Sequence, residues 1–118
     1  MSIPKPTHIK ARTKSKLLEL KFDNGENFSL PFEYLRVFSP SAEVRGHGGP
    51  MLLIYGKENV GVARVEPVGN YAVRLVFDDG HDTGIFSWPV LYELGRDHEM
   101  NWQDYLARLE KGGIRRNA

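Results

Sequence analysis

Two dipeptides constrain the fold of this chain more than any other feature. Asn24-Gly25 lies between Leu17-Leu18-Glu19-Leu20-Lys21-Phe22-Asp23 and residues 26–30, and Asp79-Gly80 lies between residues 72–78 and 81–86. Asn-Gly and Asp-Gly between apolar runs predict β-hairpins with two-residue turns, in which both central residues take positive φ. Leu18, Leu20 and Phe22 alternate with Glu19 and Lys21, as expected of a strand with one wet face. A third turn at Gly69-Asn70 joins residues 62–68 to 71–77, so the second half reads as a three-stranded meander. Pro67 belongs near an edge or a bulge of that sheet.

Each hairpin leads into a helical signal. Pro31 opens the stretch PFEYLRVF and suits a first helical turn. Ser87-Trp88-Pro89 supplies a serine cap and an early proline, and Gly95 a terminal glycine. Trp88, directly after a strand, should turn its indole onto the sheet. Superposing Phe22-Asp23-Asn24-Gly25 on Phe77-Asp78-Asp79-Gly80 gives an offset of 55, at which Leu18 meets Val73, Leu20 meets Leu75 and Leu30 meets Ile85. Internal duplication and chance similarity of two hairpins both fit this match. A last helix is expected after an Asn101 cap, with Trp102, Tyr105, Leu106 and Leu109 on one apolar face. Gly112-Gly113 should end it and begin a basic, flexible tail over 112–118. Residues 39–50 read as a loop and 51–55 as a short apolar strand. The expected fold is α+β: two strand–strand–helix units around one small core, plus a C-terminal helix. It forms a single domain over 1–118, with its core within about 6–110.

Composition narrows the chemistry. With no cysteine among 118 residues, disulfides, thiol nucleophiles and thiolate metal sites are excluded. No apolar run approaches the roughly 20 residues of a membrane helix, and residues 1–10 lack a secretory core, which predicts a cytoplasmic protein without a membrane partner. Residues 1–16 carry five cations and no acid, and residues 108–118 carry four cations against Glu110. Residues 17–107 therefore hold a net −7 within a whole-chain net of +1. Basic ends on an acidic body favour solubility over nucleic-acid binding, because no aromatic residues interleave with the cations as stacking platforms.

Few residues offer catalysis. No Gly-x-Ser-x-Gly surrounds a serine, and Gly46-His47-Gly48-Gly49 lacks the setting of a phosphate loop. Asp78 and Asp79 suit a turn for backbone reasons. His8 and His98 lie in polar segments expected to be exposed. His81 sits among Asp79 and Asp82 at the second hairpin end, a group of imidazole and carboxylates that can hold a divalent metal. His47 and Arg45, on the glycine-rich loop, would face Asp79, His81 and Asp82 if that hairpin end lies nearby. The charges there either fasten the loop or bind a small anion or a polar segment of a partner.

Four segments taken together resemble one family: LELKFDNG (18–25), YLRVFSPSAEVRGHG (34–48), VEPVGNYAV (65–73) and FDDGHDTGIFSW (77–88). They resemble the gamma-butyrobetaine hydroxylase-like N-terminal domain family over roughly residues 6–109. Its members occur as small stand-alone bacterial proteins of unknown function, at the front of carnitine-synthesis oxygenases, and fused to some P-loop iron–sulfur carriers. The resemblance implies a zinc module built from Cys-Pro-Cys-x-x-Cys after a Leu-Arg pair and a later histidine. After Leu35-Arg36 the cysteine positions fall on Ser39, Ser41 and Val44, and only His81 matches the ligand set. Serine hydroxyls are poor zinc ligands and valine is none, so no cofactor is expected, with zinc or iron implied by the family alone. The oxygenase iron triad needs His-x-Asp/Glu, which His81-Asp82 does not supply.

These readings lead to a non-enzymatic accessory or binding module with a protein partner, linked through the resemblance to iron–sulfur or oxygenase-related metabolism. The alternative is a metal-binding protein centred on His81, or a small enzyme with an unrecognised site.

Overall fold

The computed structural model describes residues 4–40 and 54–116. Strands β1 (Pro6–Arg12), β2 (Leu17–Phe22) and β3 (Asn27–Pro31) form one antiparallel meander, followed by α1 (Phe32–Val37). Strands β4 (Val62–Val68), β5 (Ala72–Phe77) and β6 (Gly84–Ser87) form a second, followed by α2 (Trp88–Arg96) and α3 (His98–Lys111). The fold is α+β, as the hairpin and helix signals predict. The core joins alternate residues of both sheets, Leu18, Leu20 and Leu30 with Val73, Leu75 and Phe86, to Leu35 of α1 and Leu91 of α2. All eight are at most 4% exposed, so the period-2 pattern of the strands is what fills the interior. Among the described residues no helix is long and apolar enough to cross a membrane.

The halves repeat one another in hydrogen-bond detail. β1 shifts register between Pro6 and His8 opposite Phe22, and β4 shifts between Val62 and Arg64 opposite Phe77. The Asp23 N–H donates to the Lys5 carbonyl at 2.9 Å, and the Asp78 N–H to the Gly61 carbonyl at 2.9 Å. Phe22 N–H closes its hairpin on Glu26 at 2.9 Å, and Phe77 N–H closes the other on His81 at 3.0 Å. The two halves thus share one β-β-β-α arrangement in register and in hairpin closure.

Several expectations need correction. Each tight turn is a three-residue loop rather than a two-residue one. Only the glycine takes positive φ, +90° at Gly25 and +93° at Gly80, with Asn24 and Asp79 in ordinary conformations. That is the geometry of a type I turn closed by a glycine bulge. The offset grows by one residue across the second turn, so Val73 pairs with Phe86, and Ile85 points outward at 45% exposure. Leu30 therefore corresponds to Phe86 rather than Ile85. Strand β1, not anticipated, adds an edge to the first sheet. Gly95 lies inside α2, against the Phe28 ring, and does not end the helix. Helix α3 begins at His98, and Asn101 lies within it, donating its amide to the Tyr34 hydroxyl at 3.0 Å. Ile54 and Tyr55 are not in a strand, and the rest of 51–55 lies outside the described residues. Trp88 does turn onto the core, as expected, where it is half-buried and donates its indole N–H to the Asn70 carbonyl at 2.8 Å. Residues 113–116 turn back along α3, with the Ile114 N–H on the Leu109 carbonyl at 2.8 Å.

Candidate functional site

The repeat brings each helix onto the hairpin end of the other half. Tyr92 of α2 accepts from the Asn24 amide at 3.3 Å, and Arg36 of α1 donates its Nε–H to Asp79 at 2.9 Å. Asn24 and Asp79 are equivalent in turn chemistry as well. The Asn24 Oδ1 accepts the Glu26 N–H at 3.0 Å, and the Asp79 Oδ1 accepts the His81 N–H at 3.1 Å. Both are side-chain-stabilised turns of the kind asparagine and aspartate favour.

The second of these docks carries the charge. Besides Arg36, Asp79 takes the Lys57 ammonium at 2.6 Å, and its side chain is 19% exposed. Burial pushes the Asp79 carboxyl up, but Lys57, the His81 N–H and Arg36 outweigh it and hold the pKa at about 2. Asp78, next along the turn, accepts the Gly61 N–H at 2.9 Å and so belongs to the backbone closure. A recess of about 400 Å³ lined by Gly56, Lys57, Asn59, Val60, Asp78 and Asp79 opens beside the ion pair. The Arg36 residue is only 8% exposed, and its Nη1 is buried without a hydrogen-bond acceptor. An N–H in that condition costs roughly 1–3 kcal/mol.

Behind the ion pair lies His81, 4% exposed, with its Nε2 3.0 Å from the hydroxyl oxygen of the wholly buried Ser39. Gly84 makes room for this contact: a Cβ there would lie 2.5 Å from Ser39 Oγ and 3.5 Å from His81 Nε2. By register, Gly84 corresponds to Phe28, since they face Leu75 and Leu20 respectively. The room filled by an aromatic ring in the first half is given over to the serine–imidazole pair in the second.

Of the residues singled out in the sequence, Asp79 and His81 come together at this hairpin end. Asp82 is exposed and acts on Arg74, whose pKa is raised mainly by its hydrogen bond to Glu66 and slightly by Asp82. Arg45, His47, Ser41 and Val44 lie outside the described residues. His98 is half-buried rather than exposed, stacked 4.4 Å from the Tyr34 ring, and burial lowers its pKa. His8 remains more exposed and meets Glu19 at 3.0 Å. Arg36, Lys57 and Gly84 were not anticipated as site residues. Arg36 did leave a signal, as the one cation in the apolar run PFEYLRVF; Lys57 left none.

The zinc module implied by the family resemblance can be tested against this geometry. Ser39 and His81 are neighbours in space, as two ligands of one ion would be, but they are hydrogen-bonded directly to each other. A serine hydroxyl keeps its proton at neutral pH, and Val44 has no donor atom. Among the described residues no group of three or more histidines and acids is placed to hold a metal ion. The donor set does not fit zinc or iron.

Known structures share this architecture. One protein solved by NMR in solution is 54% identical, with a TM-score of 0.83 over 96% of this chain and 85% of its own. A second NMR structure is 49% identical, with a TM-score of 0.86 over 98% and 92%. A crystal structure from Acidithiobacillus ferrooxidans, of a protein with unknown function in the DUF971 family, is 41% identical, with a TM-score of 0.67 over 77% of this chain and 92% of that one. None of the curated proteins matches the sequence. The family described as Gamma-butyrobetaine hydroxylase-like, N-terminal matches residues 9–92, which take in both hairpins, Arg36, Asp79 and His81, and the chain belongs to that family.

Proposed function

We propose that this protein is a non-enzymatic binding module for a protein partner, with the Arg36–Asp79–Lys57 end of the second hairpin as its contact point. The observation that carries this reading is the contrast between the two equivalent docks. In the first, an amide and a phenol hold helix to hairpin. The second makes the same junction with three charged groups, a buried imidazole and a guanidinium N–H left without an acceptor. The charge exceeds what docking requires, and Lys57, at the mouth of the recess, offers a partner's carbonyl or carboxylate a cation that Asp79 already orients. The wholly buried Ser39 hydroxyl faces the imidazole and no open surface, which supports binding over nucleophilic chemistry. Iron–sulfur or oxygenase-related metabolism is the setting the family resemblance implies.

Arg36→Lys keeps a cation on Asp79 and deletes the unpartnered Nη1, and Lys57→Ala removes the recess cation. Tagged protein carrying both changes should remain folded, melting below wild type by no more than the Asp79 pairing contributes, but lose the proteins that wild type captures from its native extract. Tyr92→Phe, at the equivalent neutral dock, should retain them. Identical capture by all three forms, or substrate turnover that depends on Ser39, would overturn the reading.

A further inference from the structure

A second charged contact involves the other end of α1. Glu33 is 7% exposed, and carboxylates are rarely so buried unless paired. Its carboxylate takes both arms of one guanidinium: Arg116 Nε donates to Oε2 at 3.0 Å, and Nη2 to Oε1. The same guanidinium lies over Trp102, 5.2 Å from the ring centroid. Glu58 adds to the negative field. Burial first, then Glu33 and Glu58, push the Tyr105 hydroxyl up to about 12. Two carboxylates and an aromatic face therefore surround one cation. Among the described residues α2 offers no counterpart to this carboxylate, because the residue matching Glu33 is Pro89. The fold does not need this arrangement to build its repeat.

The tail enters in a defined way. Gly113, at φ +69°, turns the chain after α3. Ile114 packs against Val37, Tyr105 and Leu109, Arg115 faces solvent, and Arg116 reaches Glu33. A recess of about 420 Å³ runs beside this strap, walled on the helix side by Leu106, Leu109 and Glu110.

We infer that the Glu33–Trp102 receptacle is a docking site for a protein segment bearing an apolar residue followed, two positions later, by arginine, and that Ile114-Arg115-Arg116 occupies it as an internal mimic. The buried acid fixes the ligand's charge, the Trp102 face favours a planar guanidinium over an ammonium, and the Ile114 seat fixes the spacing. Gly112-Gly113 provides a hinge on which the strap can give way to a competitor. Neither Asp79 nor Lys57 takes part, so this site stands or falls separately from the hairpin-end site.

The test uses the whole protein and an acetylated, amidated Gly-Gly-Ile-Arg-Arg peptide, with the Trp102 indole N–H resonance as the readout. Arg116→Ala should bind the peptide at least about tenfold more tightly than wild type, in which the strap competes. Citrulline at the peptide's last position should weaken binding by about tenfold or more, since it removes the charge and keeps the shape. Arg116→Ala strips a buried carboxylate of its partner and can lose stability, so Ile114→Ser provides a second release with Glu33 still paired. That variant should fall between wild type and Arg116→Ala. No saturable shift in either folded variant up to about 5 mM peptide, equal affinity for the citrulline peptide, or equal affinity in wild type and variants would overturn the proposal.

Discussion

In the first half, a hairpin ending in Asn24 and carrying Phe28 receives Tyr92 and Gly95 of α2; in the second, a hairpin ending in Asp79 and carrying Gly84 receives Arg36 of α1 and the Ser39 that follows it. Phe22, Phe28 and Tyr92 form a set of edge-on rings with centroids 5.3–5.9 Å apart, closing the first junction with apolar surface. The second junction holds an ion pair and a buried serine–imidazole contact in the same place. One backbone unit thus accepts either solution, provided a small residue on one partner leaves room for what the other brings. Gly95 does this for Phe28, and Gly84 for Ser39 and His81. The lesson is that backbone geometry is common to the halves, whereas among the described residues the ion pair and the serine–imidazole contact stand at the second junction and not the first.

The most forceful way to break this comparison is at positions where the halves should be interchangeable. Leu20 and Leu75 occupy matching sites on β2 and β5, and both are wholly buried. Leu20→Ala and Leu75→Ala should each cost about 2–5 kcal/mol in urea unfolding. If the repeat is also an energetic one, the two losses should agree to within about 1 kcal/mol. A much larger gap would mean that the halves share register but not packing.

Next in size is the glycine that separates them. Gly84→Ala places a Cβ 2.5 Å from Ser39 Oγ and 3.2 Å from Phe86, so the serine–imidazole contact must shift. Overpacking of this kind costs about 1–3 kcal/mol. Gly95→Ala places a Cβ 2.4–2.7 Å from three carbons of the Phe28 ring, an overlap that roughly 1 kcal/mol of helix propensity does not offset, so it should cost at least as much as Gly84→Ala. A clearly smaller loss for Gly95→Ala would show that the aromatic junction yields more easily than the Ser39–His81 contact.

The halves should also differ in pH dependence. Asp79 is held at about 2 in the folded state against 3.8 unfolded, so its contribution is complete above the unfolded value and is lost as pH falls toward 2. Allowing for solvent at a partly exposed pair, the loss should be about 1–2 kcal/mol. Asp79→Asn should flatten this acid limb in urea titrations between pH 5 and pH 2. Asn24, neutral in the equivalent turn, has no such limb to lose. An unchanged slope in Asp79→Asn would mean that the second junction is as indifferent to protonation as the first.

What could be read beforehand follows from where the information lies. The hairpins, the start of α1 and the Ser87 cap were legible because turn chemistry and period-2 patterning are local. The Ser87 hydroxyl does accept the Val90 N–H, at 3.4 Å. β1 was not legible, because Pro6–Arg12 is an edge strand with no fully buried residue and polar or basic side chains along most of its length. The start of α3 was missed because two cap-type residues, Asp97 and Asn101, stand a turn apart, and the apolar periodicity begins only at Trp102. Asp79 and His81 were legible from their turn. Lys57 joins them only through a loop of distant sequence, and the equivalence of Arg36 with Tyr92 emerges only when two helices are seen on exchanged hairpins.

The smallest effect is expected at Tyr92. Its hydroxyl accepts a single bond at 3.3 Å from a solvent-exposed amide, while its ring packs on Phe22 and Phe28. Tyr92→Phe keeps the rings and removes only that bond, and water can satisfy the Asn24 amide afterwards. The expected change in unfolding free energy is within about 0.5 kcal/mol. Arg36→Ala, at the corresponding place, takes one of two cations from Asp79 and a nearly buried side chain from the core edge, and should cost several times as much. A loss above about 1.5 kcal/mol for Tyr92→Phe would place the strength of the first junction in its polar contact rather than in its rings. The two halves would then be more alike in chemistry than their side chains suggest.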